Sequence, residues 1–356
     1  MKNPNEKNQL IFLANGILKL KLREGWCFEV LPNEPRYFTQ VSLPYDFEPE
    51  AKCPRFMKFL LEVIAEEDVR EFLQEWFGYN LIHDTSQSKF VVLVGDGANG
   101  KSVLLNLLAG LLGQENVSAI PLESFNAART FPIAVTIGKL ANIVDEMGDL
   151  RGVESTVKQF VSGSVMNVER KGKDGSEQKP TARLTFATNN LPSFKDRSDG
   201  LWRRLVVIPM TVQLLDESKQ DKNLTQIEYW QHTGEMAGIL NWAIEGLQRL
   251  MRRGQFLEPS SSIQFKKGYR ADADSVAQFL EEFVESLPNA SVGVTELYGA
   301  YLQFSKRCED VPVTAASFSQ SVKKSFPHAV RSENARAYGG RRERVWQGIQ
   351  IVGGAC

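Results

Sequence analysis

Cysteine and histidine are scarce. Cys27, Cys53, Cys308 and Cys356 are scattered, and His83, His232 and His328 lie far from them, so neither C-x-x-C spacing nor a zinc-type ligand set exists. The expectation is reduced thiols in a cytoplasmic protein. No apolar run reaches membrane-spanning length, and Met1-Lys2-Asn3-Pro4-Asn5-Glu6 carries no signal core. A surplus of one charge sign is also missing, with 42 Lys and Arg against 43 Asp and Glu. Only from Thr314 onward does the balance tilt, with seven basic residues against two acidic ones.

Against this ordinary background one stretch stands out. Phe90-Val91-Val92-Leu93-Val94 reads as a buried strand, and Val103 to Leu112 reads as a packed helix. Between them Gly95-Asp96-Gly97-Ala98-Asn99-Gly100-Lys101-Ser102 has the phosphate-loop pattern G-x-x-x-x-G-K-[ST]. Such glycines let backbone N–H groups curl around phosphate, Lys101 adds a point charge and Ser102 offers a hydroxyl to Mg²⁺. The dipole of the following helix favours the same anion. Strand before and helix after are the context the motif requires, so an ATP-Mg²⁺ site is expected here.

Upstream, residues 1 to about 50 suggest short strands and turns, and Pro54 to Gly78 gives two amphipathic helices. Downstream, Leu140 to Val144 is an apolar strand ending in Asp145 and Glu146, expected to lie beside the loop's strand and deliver both carboxylates to Mg²⁺ and water. Val153 to Val161 reads as a helix carrying Lys158. Val165 to Arg170 and Thr181 to Phe186 read as strands, with Lys171-Gly172-Lys173-Asp174-Gly175-Ser176 as the hairpin tip between them. The second strand runs into Asn189, and Arg203 and Arg204 precede another strand. Asp221 to Met251 forms a helical lid pattern, and Gly254 to Ser262 a linker.

These elements, in this order, resemble the superfamily 3 helicases, which are AAA+ ATPases. Lys101 and Asp145 are 44 residues apart, and Asp145 and Asn189 again 44. The wording G-D-G-A-N-G-K-S, F-A-T-N-N-L-P and L-W-R-R-L resembles the phage and plasmid primase-helicase branch, related to poxvirus-type replicative ATPases. The resemblance spans roughly residues 10 to 275 and is most specific from 90 to 210.

It implies an α/β fold: an AAA+ P-loop ATPase core, an N-terminal mostly helical region and a C-terminal winged-helix domain. The expected boundaries are 1–80, 81–212, 213–270 and 271–356. It implies that Gly95 to Ser102 and Asp145 hold ATP and Mg²⁺, that Ser102 and Asp145 complete the metal shell, and that Glu146 polarises water. Asn189 matches the sensor that positions that water. Arg204, with Arg203 as the alternative, matches an arginine finger acting on a neighbouring subunit's nucleotide, and Lys158 falls where a second basic trans-acting residue sits. Lys171 and Lys173 would touch DNA at the hairpin.

In the tail, Val276 to Leu287, Glu296 to Phe304 and Ala315 to Phe326 read as helices, followed by a basic hairpin. Ser317, Ser319, Gln320, Lys323 and Lys324 would lie on a recognition helix, with Arg341 and Arg342 at a wing tip. The function so implied is a hexameric ATP-dependent DNA helicase of a mobile element, moving 3′ to 5′ on single-stranded and forked DNA. The primase that many relatives carry upstream is expected on another chain or an upstream segment. An origin-binding or helicase-loading ATPase, and a winged-helix DNA-binding protein regulated by ATP, are the rival readings.

Overall fold

The structure is a computed structural model that describes residues 10–23, 25–33, 37, 39, 41–128, 130–150, 152–170, 173–192, 199–214, 221–272, 275–308, 312–332 and 344–352. The chain divides into two compact units, 1–266 and 267–356, where the sequence suggested a division after residue 270.

The first unit opens with an antiparallel meander of β1 (Leu10–Leu13), β2 (Gly16–Arg23) and β3 (Gly25–Leu31). The short strands expected before residue 50 thus form a sheet, within a region that the resemblance implied to be mostly helical. Helix α1 (Pro54–Val63) starts on proline, whose missing N–H would have no partner in a first turn. Helix α2 (Glu67–Asn80) starts on Glu67 and Asp68, which suit the positive end of its dipole.

Next come β4 (Phe90–Val94), α3 (Lys101–Leu112), β5 (Val117–Ser118), the short α4 (Phe131–Ala134), β6 (Ala141–Val144) and α5 (Glu154–Val161). A hairpin of β7 (Met166–Arg170) and β8 (Lys173–Gln178) follows, then β9 (Arg183–Thr188), α6 (Asp199–Trp202) and β10 (Leu205–Pro209). Strands β4, β5, β6, β9 and β10 form one parallel sheet in the order β10-β4-β9-β6-β5. Every residue of β4 and β9 is buried, which explains their unbroken burial pattern without alternation.

Two expectations are corrected here. The acid-bearing strand β6 does not lie beside β4, because β9 pairs with both and separates them. The hairpin's second arm is β8 rather than β9: Met166 pairs with Gln178 and Arg170 with Lys173, while β9 belongs to the main sheet. Lys173 thus begins a strand instead of sitting in the turn, and Lys171 and Gly172 lie outside the described residues.

The region expected to form a helical lid contains α7 (Ile227–His232) and α8 (Met236–Arg253). Helix α8 packs on α2 at close range: a Cβ on Gly78 would fall 2.2 Å from the Ala243 carbonyl oxygen, and one on Gly246 2.3 Å from the Gln74 carbonyl. Leu240, Ala243 and Leu247 share a continuous core with Phe56, Phe72, Trp76, Leu104, Leu108 and Val91. Helix α9 (Ser260–Asp272) follows.

The second unit continues with α10 (Ser275–Phe283), β11 (Val284–Gly293), α11 (Val294–Arg307), α12 (Ala315–Ser325), β12 (Val330–Ser332) and β13 (Val345–Ile351). Its antiparallel sheet runs β11-β13-β12. The helix expected to reach Leu287 ends at Phe283, because Val284 and Val292 are buried as strand partners of Ile351 and Trp346. Phe279, Tyr301, Phe304, Phe318 and Trp346 form its core. Thr314 caps α12 by accepting the Ser317 N–H at 3.3 Å.

Candidate nucleotide site

The parallel sheet brings three chain segments to one edge. The loop after β4, the acids after β6 and the asparagine after β9 all leave carboxyl ends of strands, where open α/β sheets bind ligands. Register fixes them further, since Val94 pairs with Thr188 and Val144 with Phe186.

The loop's backbone carries three left-handed residues, Gly97 at φ 99°, Ala98 at 48° and Gly100 at 83°. Left-handed residues in such a loop allow its N–H groups to converge, as they do in an anion nest. Gly95 is required for a different reason: a Cβ there would fall 2.2 Å from Asn99 Nδ2 and 2.6 Å from the Met210 carbonyl. The loop is anchored to the chain after β10, because Met210 N–H donates to Val94 at 2.7 Å and Leu214 N–H to Ala98 at 2.8 Å.

The Lys101 ammonium donates to the Gly95 carbonyl, to Asn99 Oδ1 at 3.1 Å and to Asn189 Oδ1 at 3.4 Å. Burial lowers its pKa below the usual lysine value, while Asp145 and Asp96 pull the other way. Ser102 Oγ donates to Asp145 Oδ2 at 2.9 Å. A hydroxyl and a carboxylate so joined present hard oxygens on one side of the loop, the donor chemistry that suits Mg²⁺. No group of three or more His, Cys, Asp or Glu side chains among the described residues could hold a metal by itself.

These groups line a cleft of about 880 Å³ that also includes Gly97, Gly100, Glu146, Thr188 and Asn190. The structure therefore brings together Lys101, Ser102, Asp145, Glu146 and Asn189. The sequence did not single out the flanking lining: Phe59 and Glu62 of α1, and Lys222, Leu224 and Thr225 ahead of α7. Phe59 is apolar on a helical face and carried no signal beyond packing, and Lys222 belongs to no motif.

Arg203 and Arg204 are not in this cleft. They precede β10, whose Leu205 pairs with Phe90 and whose Pro209 pairs with Val94, so they sit at the opposite sheet edge from the phosphate loop. Five strand residues separate the two edges, roughly 16 Å at strand rise. Lys158 is half-buried on α5. On α12, Lys323, Lys324, Ser317 and Gln320 are exposed and Ser319 is half-buried, its hydroxyl donating to Ala315. Arg341 and Arg342 lie outside the described residues.

A family model described as "Family of unknown function (DUF5906)" matches residues 93–204. Among relatives, "Putative helicase L207/L206" of Acanthamoeba polyphaga mimivirus is 24% identical over 319 residues, covering 83% of this chain and 32% of that protein. "Putative helicase 184R" of Invertebrate iridescent virus 6 is 25% identical over 244 residues, covering 61% and 24%. The chain thus spans about a third or less of the curated relatives it matches. A solved structure of the apo NrS-1 C-terminal region superposes with a TM-score of 0.51 at 13% identity, over 92% of this chain and 82% of that one, a likeness of fold. No helix among the described residues is long and apolar enough to cross a membrane.

Proposed function

We propose that this chain is the ATP-hydrolysing motor of a DNA helicase of superfamily 3 type, working as a ring of like subunits. The convergence of Lys101, Ser102, Asp145, Glu146 and Asn189 on one cleft carries the reading. Lys101 and the loop N–H groups would hold the phosphates, Ser102 and Asp145 the Mg²⁺, which neutralises charge on the transferred phosphoryl group. Glu146 would orient water and Asn189 would fix it against the γ-phosphate. Resemblance to viral proteins named as helicases supports DNA as the track, and the order helix, strand, helix, helix, strand, strand in residues 275–351 supports a winged-helix reading of the second unit.

Arginines remote from their own chain's cleft fit a pocket completed by a neighbour, which favours a hexamer over a monomeric enzyme. The test is turnover of ATP with and without single-stranded DNA, alongside displacement of a strand from forks tailed at 3′ or 5′ ends. Stimulated turnover and displacement from 3′-tailed forks are expected, with Lys101→Ala and Glu146→Gln abolishing both. Hydrolysis without displacement on any fork would favour a helicase-loading ATPase, and negligible hydrolysis at saturating DNA a nucleotide-regulated DNA-binding protein.

A further inference from the structure

We infer that Arg203, and not Arg204, is the cation presented to a neighbouring subunit, and that Lys89 and Lys266 are positioning residues that fix its turn; this rests on the shared-pocket reading above. The two arginines are treated very differently by the fold. Arg204 is consumed within its own chain: Nε and Nη2 donate to Ser162 Oγ at 3.2 and 3.0 Å, and Nη1 donates to the Gly200 carbonyl at 2.6 Å. Burial, with the adjoining Arg203 charge, lowers its pKa. Arg203 has an exposed side chain on a fixed backbone, its N–H bonded to the Asp199 carbonyl at 3.0 Å.

The fixing extends over four successive carbonyls. Lys266 Nζ takes those of Trp202 and Leu205 at 3.1 and 2.9 Å, Lys89 Nζ takes that of Arg203 at 2.6 Å, and the Phe90 N–H takes that of Arg204 at 2.9 Å. Lys266 is itself held by Glu258 at 2.5 Å, with both side chains largely withdrawn from water at 13% and 19% exposure. Burial also lowers the pKa of Lys89, opposed by Glu258. A link between a short helix and an edge strand would be satisfied by water. Two lysine ammoniums, that of Lys266 largely withdrawn from solvent and that of a half-buried Lys89, grip three of these carbonyls and so restrict where the next side chain can stand, which is what a group acting across an interface needs.

Removing a grip should therefore lower the rate more than the binding of ATP. In concentrated wild-type-like conditions, Arg203→Ala is expected to lower kcat by at least about a thousandfold. Lys89→Met and Lys266→Met should lower kcat on the order of ten- to a hundredfold with KM for ATP nearly unchanged, and Lys266→Arg should recover most of the loss. Mixing each of these variants with Lys101→Ala subunits should restore turnover, because the variant's intact cleft then receives an intact arginine turn from its neighbour; a general folding defect would not be rescued this way. Should Lys266→Met fail to fold, Lys89→Met, which removes one bond to one carbonyl, carries the same test. Turnover lost in Arg204→Ala but kept in Arg203→Ala, or retained kcat in both lysine variants, overturns the inference while leaving the shared pocket standing. Full activity in Arg203→Ala and Arg204→Ala alike overturns the shared pocket itself.

Discussion

Ser102 Oγ donates to Asp145 Oδ2 across 2.9 Å although the strands that lead to these two residues are not neighbours. Strand β9 lies between β4 and β6, and the loop after β4 must arch over its end for the two side chains to meet. The same arch brings Asn189 to Lys101.

That pair yields the first prediction. An exposed hydroxyl-carboxylate bond is worth about 0.5–1.5 kcal/mol of stability, so Ser102→Ala and Asp145→Asn should each shift the urea midpoint only slightly. On the proposed function turnover should nevertheless fall by about a hundredfold or more, because these two side chains would hold the Mg²⁺ that offsets charge on a transferred phosphoryl group. Parallel measurement of unfolding and Mg²⁺-dependent hydrolysis checks this. A stability loss beyond about 3 kcal/mol with a proportionate rate loss would mean the bond is structural.

The second prediction concerns the packing of α8 on α2. Glu75 is buried at the α2–α8 crossing and accepts from Arg249 Nε at 2.7 Å and from Arg253 Nη2, while Arg249 also donates to Gln74 and to the Glu71 carbonyl at 2.8 Å each. Breaking a fully buried ion pair costs about 3–5 kcal/mol, but the arginine side chains keep 32% and 24% exposure and can recover water. Glu75→Ala is therefore expected to destabilise the first unit by about 2 kcal/mol. Equilibrium urea unfolding reads the change, and per-site ATP turnover of the folded protein should stay the same, since Glu75 does not line the cleft.

How much of this was readable in the chain depends on whether each feature is local. The strand-loop-helix from Phe90 to Leu112 is written in consecutive residues: an apolar run, glycines where φ turns positive, then a leucine-rich helix. The Thr314 cap is equally local. Strand β8, Lys173-Asp174-Gly175-Ser176-Glu177-Gln178, has no apolar residue to announce it and exists because β7 pairs with it. Strand β11 depends on partners near the end of the described chain, Val284 on Ile351 and Val292 on Trp346, so periodicity near Val284 suggested only a continuing helix. The place of β6, one strand away from β4, follows from the insertion of β9 and leaves no trace in the wording around Asp145.

His83 supplies the last prediction. Its Nδ1 lies 3.2 Å from Thr181 Oγ1 beside the buried Arg183, and desolvation together with that guanidinium lowers its pKa to about 4. The unfolded chain titrates near 6.5, so between about pH 6.5 and 4 it binds more protons than the folded one, and stability must rise with pH across that window. The contribution is fully present above about pH 6.5, and about 3 kcal/mol of it is lost as pH falls to about 4. Every other titratable group is common to the variant and the wild type, so the measurement is differential. His83→Asn removes the ionisable ring, and urea midpoints of variant and wild type should converge as pH falls from 7 to 4. Parallel profiles across that interval would mean that the imidazole is solvated in the native state.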